Sequence, residues 1–340
     1  MPGPEKKDEA KKEYRVGYVA LIGRPNVGKS MLLNRILGQK ISIISNKPQT
    51  TRISILGIHT TDAGQIIFID NPGIHKPLHK LNKRMMSFVY SSLETADLVC
   101  LLIDASQKFG HGDEFVLETL KNVKTPLFLL INKVDIVKKE NILLLIDHYK
   151  DLAAFKEIIP ISALKGTNVD VLEKLIPRYL PAAEKLYGED EISDQSERFL
   201  LAEIIREKVL GHVEKELPWA TATYVETIER RDLESEAEEE EESTGMKTED
   251  IENIPGVGPT PKKKRPLTYI KASIFVEKDN HRKIIIGRHG QLIKTIGIEA
   301  RREIEDILET KVFLDLQVKV RENWRDSADV LDLIEGQKEM

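Results

Sequence analysis

The segment Gly23-Arg24-Pro25-Asn26-Val27-Gly28-Lys29-Ser30 sets two glycines, a lysine and a hydroxyl in the order Gly-x4-Gly-Lys-Ser. It follows an apolar run and opens an amphipathic one. In that strand-to-helix context such a loop turns its backbone N–H groups onto phosphates, and the helix N-terminus adds its dipole. Lys29 is expected to reach the β- and γ-phosphates and the Ser30 hydroxyl to ligate Mg2+. A Gly-rich turn without a ligand would read the same way, so the motif needs partners.

Three are present. Asp70-Asn71-Pro72-Gly73 ends another apolar run. Asp70 is expected to hold Mg2+ directly or through water, and the Gly73 N–H to contact the γ-phosphate. Thr51, in Gln49-Thr50-Thr51-Arg52, lies in a polar loop where a hydroxyl could complete the metal shell only while the γ-phosphate is present. It is preferred to Thr50. Asn132-Lys133-Val134-Asp135 closes a further apolar run. Asp135 can accept from both N1–H and the 2-amino group of guanine; adenine has neither, and would leave buried acceptors facing each other. Asn132 should tie this loop to the phosphate loop, and the Lys133 stem should cover the base. In Ser162-Ala163-Leu164 the Ala163 N–H should meet guanine O6. Together these predict binding and hydrolysis of GTP to GDP with Mg2+, and Lys29, Thr51 and Gly73 are the catalytic residues expected from the motifs.

A second chemistry sits near the C-terminus. Ile284-Ile285-Ile286-Gly287-Arg288-His289-Gly290-Gln291-Leu292-Ile293 reads as helix, Gly-x-x-Gly turn, helix. In a KH domain this turn lets a nucleic-acid backbone come close beside an apolar groove. Arg288 and His289 can contact phosphates, Ile286 adjoins the turn, and Lys283, Lys294, Arg301 and Arg302 add positive charge. A helix-terminating turn is the bland reading of Gly-x-x-Gly alone. The surrounding α-β-β-α-α-β order favours the KH reading.

These motifs in this order resemble the translation-factor-related GTPases. Gln49-Thr50-Thr51-Arg52, Gly57-Ile58-His59 and the second domain narrow the likeness to the Era family of bacterial ribosome-assembly GTPases, over essentially the full length. The resemblance implies a type II KH domain that binds single-stranded small-subunit (16S) ribosomal RNA near its 3′ end, with the 30S subunit as partner. Asn71 stands where the family usually has threonine; it stays polar, and little effect is expected. Ile74 follows Gly73 where many GTPases place a water-orienting glutamine, and isoleucine can make no hydrogen bond. Slow hydrolysis is expected. In related GTPases with an aliphatic residue here, a phosphate-loop asparagine helps bind K+, and Asn26 matches it; K+ would supply positive charge at the transition state. The other reading is that Asn26 only stabilises its loop.

The elements that must position these residues alternate. Strands are expected over 15–22, 53–59, 65–70, 97–104, 126–132 and 157–161, with helices over 29–37, 81–93, 113–120, 140–152 and 169–179. This predicts a doubly wound, mostly parallel α/β sheet of the P-loop type with one antiparallel edge, followed by a smaller α+β domain. The expected boundaries are a tail over 1–13, a GTP-binding domain over 14–180, a linker over 181–196, a KH domain over 197–325 and a tail over 326–340. An insertion over 232–266 holds a run of acids at 234–242 and Lys262-Lys263-Lys264-Arg265, a composition that cannot bury a core. It reads as a solvated loop, or as an acidic brake competing with RNA.

Composition narrows the classes. The chain has 340 residues, 41% hydrophobic and 31% charged, with net charge -5, which argues against indiscriminate nucleic-acid binding by the whole. One cysteine, Cys100, excludes a disulfide framework and a cysteine-based metal site. No apolar run reaches the roughly 18–20 residues of a membrane span, and the charged N-terminus is unlike a signal peptide. A cytoplasmic monomer is expected. The alternatives are an RNA-binding scaffold with a structural nucleotide site, and, because the Era family has been linked to membranes, a GTPase peripheral to the inner face of the cell membrane; no convincing amphipathic anchor is seen.

Overall fold

The computed structural model describes residues 13–231 and 267–338. The chain divides into two compact units after Gln195. Residues 1–12 and the insertion 232–266 lie outside the described residues.

In the first unit, β1 (Arg15–Gly23) leads into α1 (Lys29–Leu37), then β2 (Ile55–Thr61) and β3 (Gly64–Asp70). There follow α2 (Lys80–Thr95), β4 (Leu98–Asp104), α3 (His111–Leu120), β5 (Leu127–Asn132), α4 (Lys139–Tyr149), β6 (Phe155–Pro160) and α5 (Val169–Leu175). The sheet order is β2-β3-β1-β4-β5-β6, with β2 antiparallel to β3 and the other pairs parallel. β4 and β5 are continuous apolar runs because helices cover both faces. On one face Ala20, Ile22, Val99 and Leu129 pack with Met86 and Val89 of α2 and Val116 of α3. The expected helix over 169–179 divides at Leu175, because Pro177 cannot donate to an α-helical ladder and the chain tightens into a 3-10 turn.

Register puts the polar residues together. Leu21 aligns with Asp70, Gly23 with Leu102, and Asp104 with Asn132, so the loops after β1, β3, β4 and β5 leave from the same carboxyl edge.

The linker expected over 181–196 is corrected. Residues 181–195 lie along the first unit. Val16 N donates to Pro181 O at 3.0 Å, Ala183 N to Tyr14 O at 3.2 Å and Ile58 N to Ile192 O at 2.9 Å. Gly57 and Ser193 form an antiparallel bridge. β2 is an edge strand with open backbone groups, and this segment satisfies several of them.

The second unit runs α6 (Glu197–His212), β7 (Thr221–Arg231), β8 (Leu267–Val276), α7 (Asp279–Ile286), α8 (Gln291–Leu308) and β9 (Lys311–Val320). β8 is central, antiparallel to β7 and parallel to β9. Ile270, Ala272, Ile274 and Val276 alternate onto the core face of β8 and meet Ile296, Ala300 and Ile304, spaced by fours on α8. The tail expected over 326–340 is also corrected: α9 (Ala328–Gly336) buries Leu331, and Gln337 accepts from Val225 N at 2.7 Å. Among the described residues, no helix is long and apolar enough to cross a membrane.

Candidate nucleotide and RNA sites

The phosphate loop needs its glycines for space. A Cβ on Gly28 would stand 2.3 Å from Asn132 Nδ2, and one on Gly23 would stand 2.4 Å from Leu102 O. Both have positive φ, and Asn26 takes φ 64 between them. Lys29 is buried at the start of α1, its ammonium donating to Arg24 O at 3.1 Å. Burial lowers its pKa to about 8, against the opposing pull of Asp70. A cation so poorly compensated is a ready partner for phosphate oxygens.

The three expected metal ligands come together. Ser30 Oγ donates to Asp70 Oδ2 at 2.6 Å and lies 2.9 Å from Thr51 Oγ1. Thr50 instead donates to Lys47 O at 2.7 Å. Asp70 is fully buried, and burial pushes its pKa up although Lys29 pulls it down. Its Oδ1 is buried without a hydrogen-bond partner. Two hydroxyls and a carboxylate with an unused oxygen suit Mg2+, which takes one or two carboxylates and shares the rest of its shell with phosphates and water. Among the described residues there is no cluster of three or more His, Cys, Asp or Glu, so no all-carboxylate cage competes for this role.

The base-reading loop is tied to the phosphate loop. Asn132 Nδ2 donates to Val27 O at 2.7 Å. Lys133 has φ 66, and its ammonium bonds to Asp104 Oδ2 at 2.6 Å. Burial alone would raise the Asp104 pKa, but bonds from Lys133 and Ser106 hold it below the usual carboxylate range. Ser162 Oγ donates to Asp135 Oδ1 at 2.6 Å, orienting the carboxylate. The Ala163 N–H, expected at guanine O6, here donates to Asn132 Oδ1 at 2.9 Å. A cavity of about 770 Å³ joins the two loops, with Gly28, Lys29, Thr51, Gly73 and Asp135 among its lining. Asn71 points away from it: Oδ1 accepts from Ser54 Oγ at 2.8 Å and Nδ2 donates to Ile69 O at 3.2 Å. Arg24 turns aside to Asp113 at 2.8 Å, and Pro25 abuts Gly73.

In the second unit α7 ends at Gly287, with φ 73, and Gly290, with φ 74, opens α8. A Cβ on Gly287 would meet the Leu292 Cβ at 2.7 Å, whereas one on Gly290 would meet nothing within 4 Å. The turn presents Arg288 and His289 to solvent, and Lys283, Lys294, Arg301 and Arg302 are exposed on the flanking helices. Ile286 is half-buried beside the turn. Lys283 is not a free charge, because it pairs with Asp279 at 3.0 Å. Arg301 lies roughly 15 Å along α8 from its first residue, beyond direct reach of the turn.

Residues 18–133 match the family described as 50S ribosome-binding GTPase, and residues 262–325 match the KH domain. Among solved structures, Era in complex with MgGDPNP and nucleotides 1506-1542 of 16S ribosomal RNA is 39% identical, covers 94% of this chain over 98% of its own length, and superposes with TM-score 0.81. The chain belongs to the Era family. A variant of Aquifex aeolicus Era bound to GDP.AlF4- is likewise 39% identical, with coverages of 94% and 98% and TM-score 0.80.

Two features of this Era-family chain carry no signal in its motifs. Arg35, in the last turn of α1, donates through Nε to Ala163 O at 3.2 Å and through Nη2 to Leu164 O, pinning the base loop from behind. Gln195 donates to Ile41 O at 2.9 Å, and Asp194 accepts from Leu56 N at 3.0 Å, so residues 181–195 form a strap that holds both ends of the loop that carries Thr51. An arginine at a helix end and a polar pair after an acidic, aperiodic stretch are too common to be read as anchors. Asp104 was findable, as the polar residue closing an apolar strand.

Proposed function

We propose that this protein is a GTPase switch that binds and hydrolyses GTP, binds single-stranded small-subunit ribosomal RNA near its 3′ end, and acts in assembly of the 30S subunit in the cytoplasm. The observation that carries this reading is the extent of the likeness: a relative solved with both MgGDPNP and 16S ribosomal RNA covers 94% of the chain, and the Gly-x-x-Gly turn lies in the segment that matches the KH domain. The family named for the 50S subunit matches only residues 18–133, which stop before the KH turn, so the RNA assignment follows the full-length relative.

Lys29 neutralises the β- and γ-phosphates, Asp135 selects guanine, and the Gly73 N–H meets the γ-phosphate. Ser30, Thr51 and Asp70 hold Mg2+, which supplies positive charge to the phosphate oxygens when bound. Thr51 belongs to the loop between α1 and β2, so loss of the γ-phosphate releases that loop. Ile74 is buried in the core beside Ala20 and Met86 and orients no water. Turnover is therefore slow until positive charge is added. K+ is one source: Asn26 Nδ2 donates to Asn46 O at 2.7 Å, drawing a backbone carbonyl of the switch loop, the ligand type K+ favours, to the phosphate loop. Equal turnover in K+ and Na+ buffers would leave Asn26 with a loop-stabilising role alone.

Crosslinking to RNA in cells, with GTP-locked and nucleotide-free forms compared, tests the whole reading. The 3′ region of small-subunit ribosomal RNA is the expected product, and recovery of transfer or messenger RNA instead overturns it. RNA recovery indifferent to nucleotide state would favour a scaffold with a structural nucleotide site.

A further inference from the structure

His75 lies between Gly73 and α2, and nothing described so far uses it. Its ring is held at both nitrogens. Nδ1 is 2.6 Å from the Gly73 carbonyl oxygen, and Nε2 is 2.7 Å from Asn82 Nδ2. Asn82 is buried in the first turn of α2, and its Oδ1 accepts from the His79 backbone N–H at 3.2 Å. These roles are forced in sequence. A backbone N–H only donates, so the Asn82 atom facing it is oxygen, and the amide turns its NH2 to His75. That NH2 only donates, so Nε2 presents a lone pair. The ring proton is therefore on Nδ1, and it goes to the Gly73 carbonyl, which only accepts.

The same peptide is clamped at its other end. The N–H of Ile74, which shares a peptide plane with the Gly73 carbonyl, donates to Gly23 O at 3.0 Å. Gly73 already lies close against the phosphate loop: a Cβ there would stand 2.6 Å from Pro25 N. We propose that His75, neutral and protonated at Nδ1, is a positioning residue that acts with Asn82 to fix the Gly73 peptide against the phosphate loop and tie it to the first turn of α2. The proposal rests on the reading that Gly73 faces the γ-phosphate. His75 does not line the nucleotide cavity, so its effect is confined to ligands that carry that phosphate.

Two measurements on the full chain test this. Long-range 1H–15N NMR of the histidine rings reads the tautomer directly. A protonated Nδ1 and bare Nε2 are expected for His75, the opposite of the form a free neutral imidazole favours; a protonated Nε2 overturns the proposal. Nucleotide affinities supply the second readout. His75→Ala and Asn82→Leu are expected to lower the preference for GDPNP over GDP by about tenfold, the scale of one hydrogen bond, with GDP affinity held within about twofold. His75→Gln, whose amide can donate to Gly73 and accept from Asn82, should restore most of the preference. The two readouts separate the layers. The expected tautomer with an unchanged preference in His75→Ala and Asn82→Leu overturns the placement of Gly73 at the γ-phosphate. A protonated Nε2 overturns the positioning role whatever the affinities show.

Discussion

Asn132 and Val27 join the base-reading loop to the phosphate loop through one buried bond, from Nδ2 to the Val27 carbonyl at 2.7 Å. The other end of the same amide accepts from Ala163 at 2.9 Å, so a single side chain spans three loops. Asn132→Ala therefore removes the tie while leaving Asp135 and Lys29 in place. GDP and GTP affinity should fall alike, by about 100-fold, as expected when a buried polar network loses its centre. Gly28→Ala should act similarly, because its Cβ would press on Asn132 Nδ2. Titration with a fluorescent GDP and a fluorescent GTP analogue checks both; a loss confined to GTP would contradict this account.

Lys29 predicts a pH dependence. Its folded pKa is about 8, against 10.5 for a solvent-exposed lysine, because burial penalises the ammonium. Between those values the unfolded chain keeps the proton and the folded, nucleotide-free chain has lost it. Unfolding then takes up a proton, so stability rises with pH across this window and is flat below about 8. Nucleotide binding restores the charged form. GDP affinity without Mg2+ should therefore fall above pH 8, by up to about tenfold per pH unit, with proton uptake on binding. Calorimetry in two buffers of different ionisation enthalpy reads that uptake, and its absence at pH 9 would show that Lys29 stays charged in the empty site.

The parts of the site that were legible in sequence are those whose chemistry is local. The strand expected over 97–104 forms as a continuous apolar run over Leu98–Ile103, and the two helices expected around the Gly-x-x-Gly turn form as α7 and α8. The phosphate loop, Asp70 and Asn132–Asp135 stand out by spacing, and the structure brings them to one edge of the sheet. What failed depends on partners far along the chain. Residues 181–195 have no periodicity of their own, since they are held through backbone groups and by Gln65 more than 100 residues earlier. Gln337 looked like part of a polar tail, yet it is fully buried because its amide matches backbone groups of β7 that no pattern in its own segment reveals.

The strap makes a prediction about boundaries. Gln65 is fully buried; its Oε1 accepts from Leu186 N at 2.9 Å and Tyr187 N at 3.0 Å, and its Nε2 donates to Tyr187 O at 3.0 Å. A chain ending at Leu180 strips those partners and reopens the edge of β2. An uncovered buried amide costs about 1–3 kcal/mol. In a domain of this size each kcal/mol lowers the melting temperature by roughly 2–4 °C. A first unit ending at Gln195 should thus melt measurably higher than one ending at Leu180, and Gln65→Leu should weaken only the longer form. Equal melting points would place 181–195 outside the folding unit.

The two glycines of the KH turn should respond differently to substitution, although both sit at positive φ. At Gly287, φ 73 combines with a Cβ that would meet Leu292 at 2.7 Å, so Gly287→Ala strains the backbone and displaces the start of α8. At Gly290 the same φ costs about 1–2 kcal/mol, but the space is open. Gly290→Ala should therefore keep the second unit folded, with a small drop in melting temperature, and lose RNA affinity because the new methyl keeps the sugar-phosphate backbone away. Arg288→Ala should weaken RNA binding by removing charge instead. It should flatten the plot of log affinity against log salt by about 0.7, the single-strand value for one phosphate contact, whereas Gly290→Ala should leave that slope unchanged. Binding isotherms at three salt concentrations, with a single-stranded RNA carrying the 3′ end of the small-subunit ribosomal RNA, distinguish the two effects. A parallel loss of slope in both variants would mean that the turn contributes charge alone and that its glycines serve only the helix junction.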